Sequence, residues 1–210
     1  LYCLQNKSIK AISFFYVKAL SWYKIDNMKK ILTICLLLAF SYSVNAQKVN
    51  PEIKEGTSLI ASAFVQGQEV PLVLSIKKVG KPFSLAWSVE GYGDGVFEMT
   101  ENAVANGTKM AMPTQPASGV TKLDDTETFG LISKASFKSL VDNKEFALNG
   151  VKFKVKATTT AFKIGGKEVD VFNVASAEGK SEMWILNNAN FPMVLQTAQM
   201  PIDITVHEIK

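Results

Sequence analysis

The 210-residue chain has no arginine, a single histidine and only two cysteines. Each scarcity removes a class of chemistry. Arginine is the usual bidentate ligand for phosphate and carboxylate, so its absence argues against nucleic-acid readout. His207 alone excludes a multi-histidine metal site, and any Ser-His-Asp arrangement would have to use it. Both cysteines, Cys3 and Cys35, precede Gln47. The remainder therefore has no disulfide, no thiolate nucleophile and no cysteine-based zinc site, and must be held together by its core.

The chain does contain an export signal. Residues 28–46, MKKILTICLLLAFSYSVNA, follow the order of a cleavable signal peptide: Lys29 and Lys30, an apolar run from Ile31 to Phe40, and small residues Val44 and Ala46 before Gln47. The apolar stretch Ile31 to Val44 is 14 residues, short of the roughly 20 a spanning helix needs. No transmembrane anchor is expected after cleavage, and the protein is expected to be periplasmic or secreted. Cys35 lies near the start of the apolar run, so it does not sit where a lipoprotein cysteine is cut and acylated. Residues 1–27 precede the internal Met28 and read as an over-extended translation start; residues 47–210 read as one β domain.

Removing the leader reverses the charge. Six of the 23 lysines and one of the 19 acids precede Gln47, leaving 17 lysines against 18 acids. A basic-protein reading, with nucleic acid as partner, thereby loses its support.

The rest of the chain alternates with the period of strands. Phe83, Leu85, Trp87 and Val89 fall on one face of a strand, as do Ile202, Ile204 and Val206. Val151–Lys156 places Lys152, Lys154 and Lys156 outward. Asn149-Gly150, Gly165-Gly166, Gln66-Gly67-Gln68 and Glu178-Gly179-Lys180 supply the turn residues of successive hairpins, so an antiparallel meander follows. Ser58–Val65 and Val169–Ala175 are apolar on both faces, which suits central strands. One helix is expected from Ser133 to about Asn143, capped by Ser133, with Phe137, Leu140 and Val141 as its apolar stripe and Asn143 at the left-handed exit. Ala105 to Thr128, with Pro113, Pro116 and Gly119, reads as a long loop or ragged strand pair, the kind of segment that carries variable function. The expected fold is all-β with one short helix, a meander of about nine to ten strands closing into a barrel or two-layer sandwich.

Leu131–Leu140 with the hairpin that follows, and Glu182–Leu195 running through Ile202–Ile209, resemble uncharacterised exported β-proteins of Gram-negative bacteria. The resemblance implies a curved, barrel-like domain of unknown function and transfers no catalytic residue.

Residue clusters that could hold chemistry have plainer readings. His207 falls on the polar face of its strand with Asp203 and Thr205. Asp124-Asp125 with Glu127 lacks the alternating acids, turn glycine and closing glutamate of a calcium loop. Gly91-Tyr-Gly-Asp-Gly95 lies between strands, with no helix after it to bind a phosphate. Lys152, Lys154 and Lys156 could greet an anionic head group, although lysine commonly protects surface strands from aggregation. No catalytic, cofactor-binding or metal residue is assigned. What remains is apolar excess: Trp87, Trp184, several phenylalanines and the methionines either fill a core or line an adaptable cavity. The expected function is a non-enzymatic envelope protein that binds an apolar small molecule or a partner protein, with Trp87, Trp184 and the three lysines as candidate contacts. The alternative is a hydrolase working through a carboxylate pair.

Overall fold

Period-2 alternation builds a single large sheet. The computed structural model describes residues 48–65, 67–157 and 161–210. The leader segments 1–27 and 28–46, and Gln66 of the first turn, lie outside the described residues. The first four long strands are β1 (Ser58–Val65), β2 (Gln68–Lys78), β3 (Phe83–Val89) and β4 (Gly93–Met99). A crossover follows, with helix α1 (Glu101–Asn106), β5 (Lys109–Met110), β6 (Gly119–Lys122), β7 (Glu127–Thr128) and helix α2 (Lys134–Asn143). The chain returns through β8 (Glu145–Leu148), β9 (Val151–Val155), the small hairpin β10 (Lys163–Ile164) and β11 (Lys167–Glu168), then β12 (Val171–Ser176), β13 (Glu182–Leu186), β14 (Val194–Ala198) and β15 (Asp203–Ile209).

Eleven strands form one sheet in the order β6-β4-β3-β2-β1-β15-β14-β13-β12-β9-β8. The meander expected from the turns is present in two runs, β1 to β4 and β8 to β15, joined by antiparallel pairing of β1 with β15. Only β6 departs from it, lying parallel to β4. The terminal strands β6 and β8 do not pair with each other, so the sheet is open. This corrects the expectation of a closed barrel or a two-layer sandwich, and the described residues hold two helices rather than one.

The sheet is nevertheless curled. Strands β4 and β14 are five steps apart in the order, which in a flat sheet is about 24 Å at roughly 4.8 Å per step. Phe129 stacks on Phe97 of β4 with ring centroids 4.1 Å apart, while Gly130 O accepts the amide of Val194 in β14 at 2.9 Å. Consecutive residues reach both only if the sheet folds towards them, in keeping with the twist of long sheets.

The crossover fills the hollow so formed. Ser133 caps α2, its hydroxyl oxygen accepting the Ser136 amide at 3.3 Å. Phe137 and Leu140 are buried against Phe146, Phe153, Val174, Met183 and Ile185. Val141, expected in that stripe, is 38% exposed, because the buried face runs through Ser136 instead. The left-handed exit belongs to Lys144, with φ of 59°, one residue later than expected at Asn143. Helix α1 is capped by Thr100, whose hydroxyl oxygen accepts the Ala103 amide. The segment expected as a long loop or ragged strand pair carries β5, β6 and β7 as short strands, with β5 paired to β7.

An apolar pocket on the inner face of the sheet

Register places a continuous apolar surface on the inner face. Across the sheet, Trp87 stands opposite Leu74 and Leu74 opposite Leu59; Val89 faces Leu72, which faces Ala61; and Val70 faces Ala63, which faces Ile204. Over these side chains passes a strap, residues 111–118, between β5 and β6. The two surfaces enclose a pocket of about 430 Å³, within the range of about 300–1,000 Å³ common for small-molecule sites. Its floor is Ala63, Leu72, Leu74 and Trp87; Met110, Met112 and Pro113 form its roof; Val194 and Ile204 close one side. Among the described residues, no lysine or carboxylate lines it.

The strap is anchored at both ends. At its start, Asn149 of the β8–β9 turn clamps Met110: the Met110 amide donates to Asn149 Oδ1 at 3.0 Å, and Asn149 Nδ2 donates to Met110 O at 3.3 Å. Asn149 has φ of 51°, the positive value that a primed hairpin turn needs and that asparagine tolerates. At its end the strap joins β6, which pairs with β4 from Gly95 opposite Gly119. A Cβ on Gly95 would lie 2.8 Å from Gly119 O, 2.8 Å from Trp87 Nε1 and 2.9 Å from Ala117 O. The glycine run 91–95 thus has a packing role: it lets the strap, the sheet and the indole close on one another.

Trp87 combines both roles anticipated for it. It is buried in the core and also lines the pocket, and its Nε1 is buried without a hydrogen-bond partner among the described residues. Trp184 does not join it. Met183 and Ile185 take the inner positions of β13 with α2, and Trp184 packs half-buried against the larger core cluster without lining the pocket. The lysines lie elsewhere again and are paired: Lys152 Nζ is 2.9 Å and Lys154 Nζ 3.6 Å from Glu145, and Lys156 Nζ is 2.7 Å from Glu182. The hydrogen bond from Lys152 holds the Glu145 carboxyl below the usual glutamate range against an opposing desolvation effect, and the charges of Lys152 and Lys154 add to the lowering.

The polar candidates have structural tasks. Asp124 accepts the Thr126 hydroxyl and amide, both at 2.7 Å, and these bonds, the hydroxyl's first, lower its pKa. His207 is left unpaired by a bulge: Ile60 faces Glu208 and Ala61 faces Val206. Its Nε2 lies 2.9 Å from Ser62 Oγ on the outer face. No carboxylate bonds this imidazole among the described residues, so the pair lacks the third group that orients a catalytic base. No three of His, Cys, Asp and Glu converge among the described residues.

Sequence reasoning missed most of the pocket. Its signal was present in Met110-Ala-Met-Pro-Thr-Gln-Pro116, an apolar loop with two prolines, but which strands lie beneath it depends on pairing over long distances. No protein-family model matches the chain, and neither a curated protein nor a solved structure does. The functional reading therefore rests on the chemistry of the site.

Proposed function

We propose that this is an exported, non-enzymatic β protein of the bacterial envelope that binds a small apolar ligand in the pocket beneath the 111–118 strap. The observation that carries the reading is the pocket itself: about 430 Å³, roofed by an irregular strap and lined, among the described residues, without a charged side chain. Each ligand methylene buried there contributes about 0.8 kcal/mol, and no ligand charge need be desolvated. Export is supported by the tripartite leader at residues 28–46. The carboxylate-hydrolase alternative finds no support in the pocket lining, which holds no carboxylate among the described residues.

The test is a fluorescence titration of the purified protein with N-phenylnaphthylamine, a neutral apolar probe that brightens on leaving water. Saturable binding is expected, and Val65→Trp, a bulky replacement at a half-buried lining position, should abolish it while leaving the cooperative melt intact. Unsaturable binding by a folded wild-type protein, or binding indifferent to Val65→Trp, would count against the pocket.

A further inference from the structure

The rim of the pocket limits the head group its ligand can carry. Of the lining residues, the exposed polar ones are Gln68, Tyr92, Thr114 and Gln115, and exposure places them where the pocket meets water. Tyr92 is 70% exposed. None of the four side chains hydrogen-bonds within the described protein, so all four polar ends are free to meet a ligand. Of the other polar lining side chains, Thr197 is committed, its hydroxyl donating to Ile202 O at 3.1 Å and accepting the Ile204 amide at 2.9 Å, and Trp87 Nε1 is buried against Gly95. The interior thus takes only an apolar chain, and the rim offers uncharged donors and acceptors.

No cation lines the rim among the described residues. The three stretches that bring these residues to it, 65–70, 89–95 and 111–118, carry no lysine, and of their acids Glu69 and Asp94 pair with Phe64 and Ser88 on the face opposite the pocket, which leaves Glu90, in the turn between the lining residues Val89 and Tyr92. All three acids are exposed, and none is ion-paired among the described residues. Lys109, just before the strap, is exposed on the side of β5 opposite the inward Met110. An anionic head would find no cation among the described lining residues and would have Glu90 nearby, whereas a hydroxyl, ester or amide head finds four hydrogen-bonding partners.

Resting on the pocket reading above, we infer that the ligand is an amphiphile with an apolar chain and an uncharged polar head of the monoacylglycerol kind, and that the site discriminates against fatty-acid and phosphate anions.

The experiment is displacement of N-phenylnaphthylamine from the purified protein by ligands sharing one chain, all below their micelle concentrations. Monododecanoylglycerol is expected to displace the probe at a concentration about tenfold lower than dodecanoate at about pH 8, where the acid is fully ionised. Dodecyl phosphate should be weaker still. The variant E90K, altered at an exposed position between the lining residues Val89 and Tyr92, should improve dodecanoate several-fold and leave monododecanoylglycerol unchanged. Dodecanoate equal to or tighter than the glycerol ester, or a preference untouched by charge reversal, would overturn the head-group inference while leaving the pocket standing. Failure of both the probe and the glycerol ester to bind would end the pocket reading and this inference together.

Discussion

Replacing Gly95 by alanine tests how the strap, the indole and the sheet edge depend on one close approach. The added methyl would sit 2.8 Å from Gly119 O, 2.8 Å from Trp87 Nε1 and 2.9 Å from Ala117 O, against an optimum of about 3.5–4.0 Å for non-bonded heavy atoms. Two of these three neighbours are backbone oxygens, which cannot swing aside as a side chain can. Relief therefore requires the entry to β6 to move by several tenths of an ångström. Because β6 is an edge strand held only by β4, the sheet can yield there without opening its core. The loss should fall in the range of about 1–3 kcal/mol typical of overpacking.

Urea melts of Gly95→Ala should show a lower midpoint with an unchanged slope, and N-phenylnaphthylamine should bind more weakly, because the far anchor of the strap has shifted. Gly91→Ala is the control. Gly91 has φ of 79° and open space where its Cβ would be, so it should lose about 1–2 kcal/mol to left-handed backbone strain without weakening the probe. Adding Trp87→Phe to Gly95→Ala removes one contact of three and should recover less than half of the loss. A Gly95→Ala protein within about 0.5 kcal/mol of wild type, or complete rescue by Trp87→Phe, would refute the reasoning.

Three further outcomes are expected. Asn149→Gly keeps the turn's positive φ but removes the clamp on Met110; it should lose about 1 kcal/mol of stability and weaken probe binding in the same titration. The Glu145 carboxyl titrates below its ordinary value of 4.5, so its pairing with Lys152 stabilises the fold above that pH and is lost as pH falls through the depressed value; Lys152→Met should lower the urea midpoint at neutral pH and have no effect in strong acid. Expressed in a Gram-negative host, the protein should begin at Gln47, which an intact-mass measurement reads directly; a mature mass that includes residues 1–46 would contradict it.

What the sequence revealed was local. Asn149-Gly150 announces a hairpin because primed turns need positive φ at both positions, and they have 51° and 75°. Phe83 to Val89 discloses its inner face because every second residue is apolar and the intervening ones are small or polar. Glu182–Leu186 does not, since methionine, tryptophan, isoleucine and leucine make both faces apolar and the inward set cannot be chosen from the strand alone. That is why Trp87 and Trp184, read together as candidate contacts, lie apart. Helix α1 is six residues long, too short for a helical stripe, and only Thr100 followed by Glu101 hinted at its start. Whether the meander closes was not legible, because that depends on the pairing of β1 with β15 near the two ends of the described chain and on the parallel return of β6 beside β4.

The position of the pocket follows from how the crossover distributes its residues. Pairing β1 with β15 joins the two meander runs edge to edge and leaves a single segment, residues 100–144, to cover a hollow eleven strands around. Its second half is helical, and a helix presents an unbroken row of side chains: Phe137 and Leu140 of α2 pack β8, β9, β12 and β13 closely. Its first half cannot do the same. Pro113 and Pro116 forbid a helix interior at 111–118, and Thr114 and Gln115 lie at the exposed rim, so the apolar roof is left to Met110, Ala111, Met112, Pro113 and Pro116. Met110 and Val194 belong both to the cluster around α2 and to the pocket lining, and so mark where filled core gives way to empty space. The cavity thus lies where proline replaces helix, and its flexible methionine roof suits a ligand that fits by chain length more than by shape.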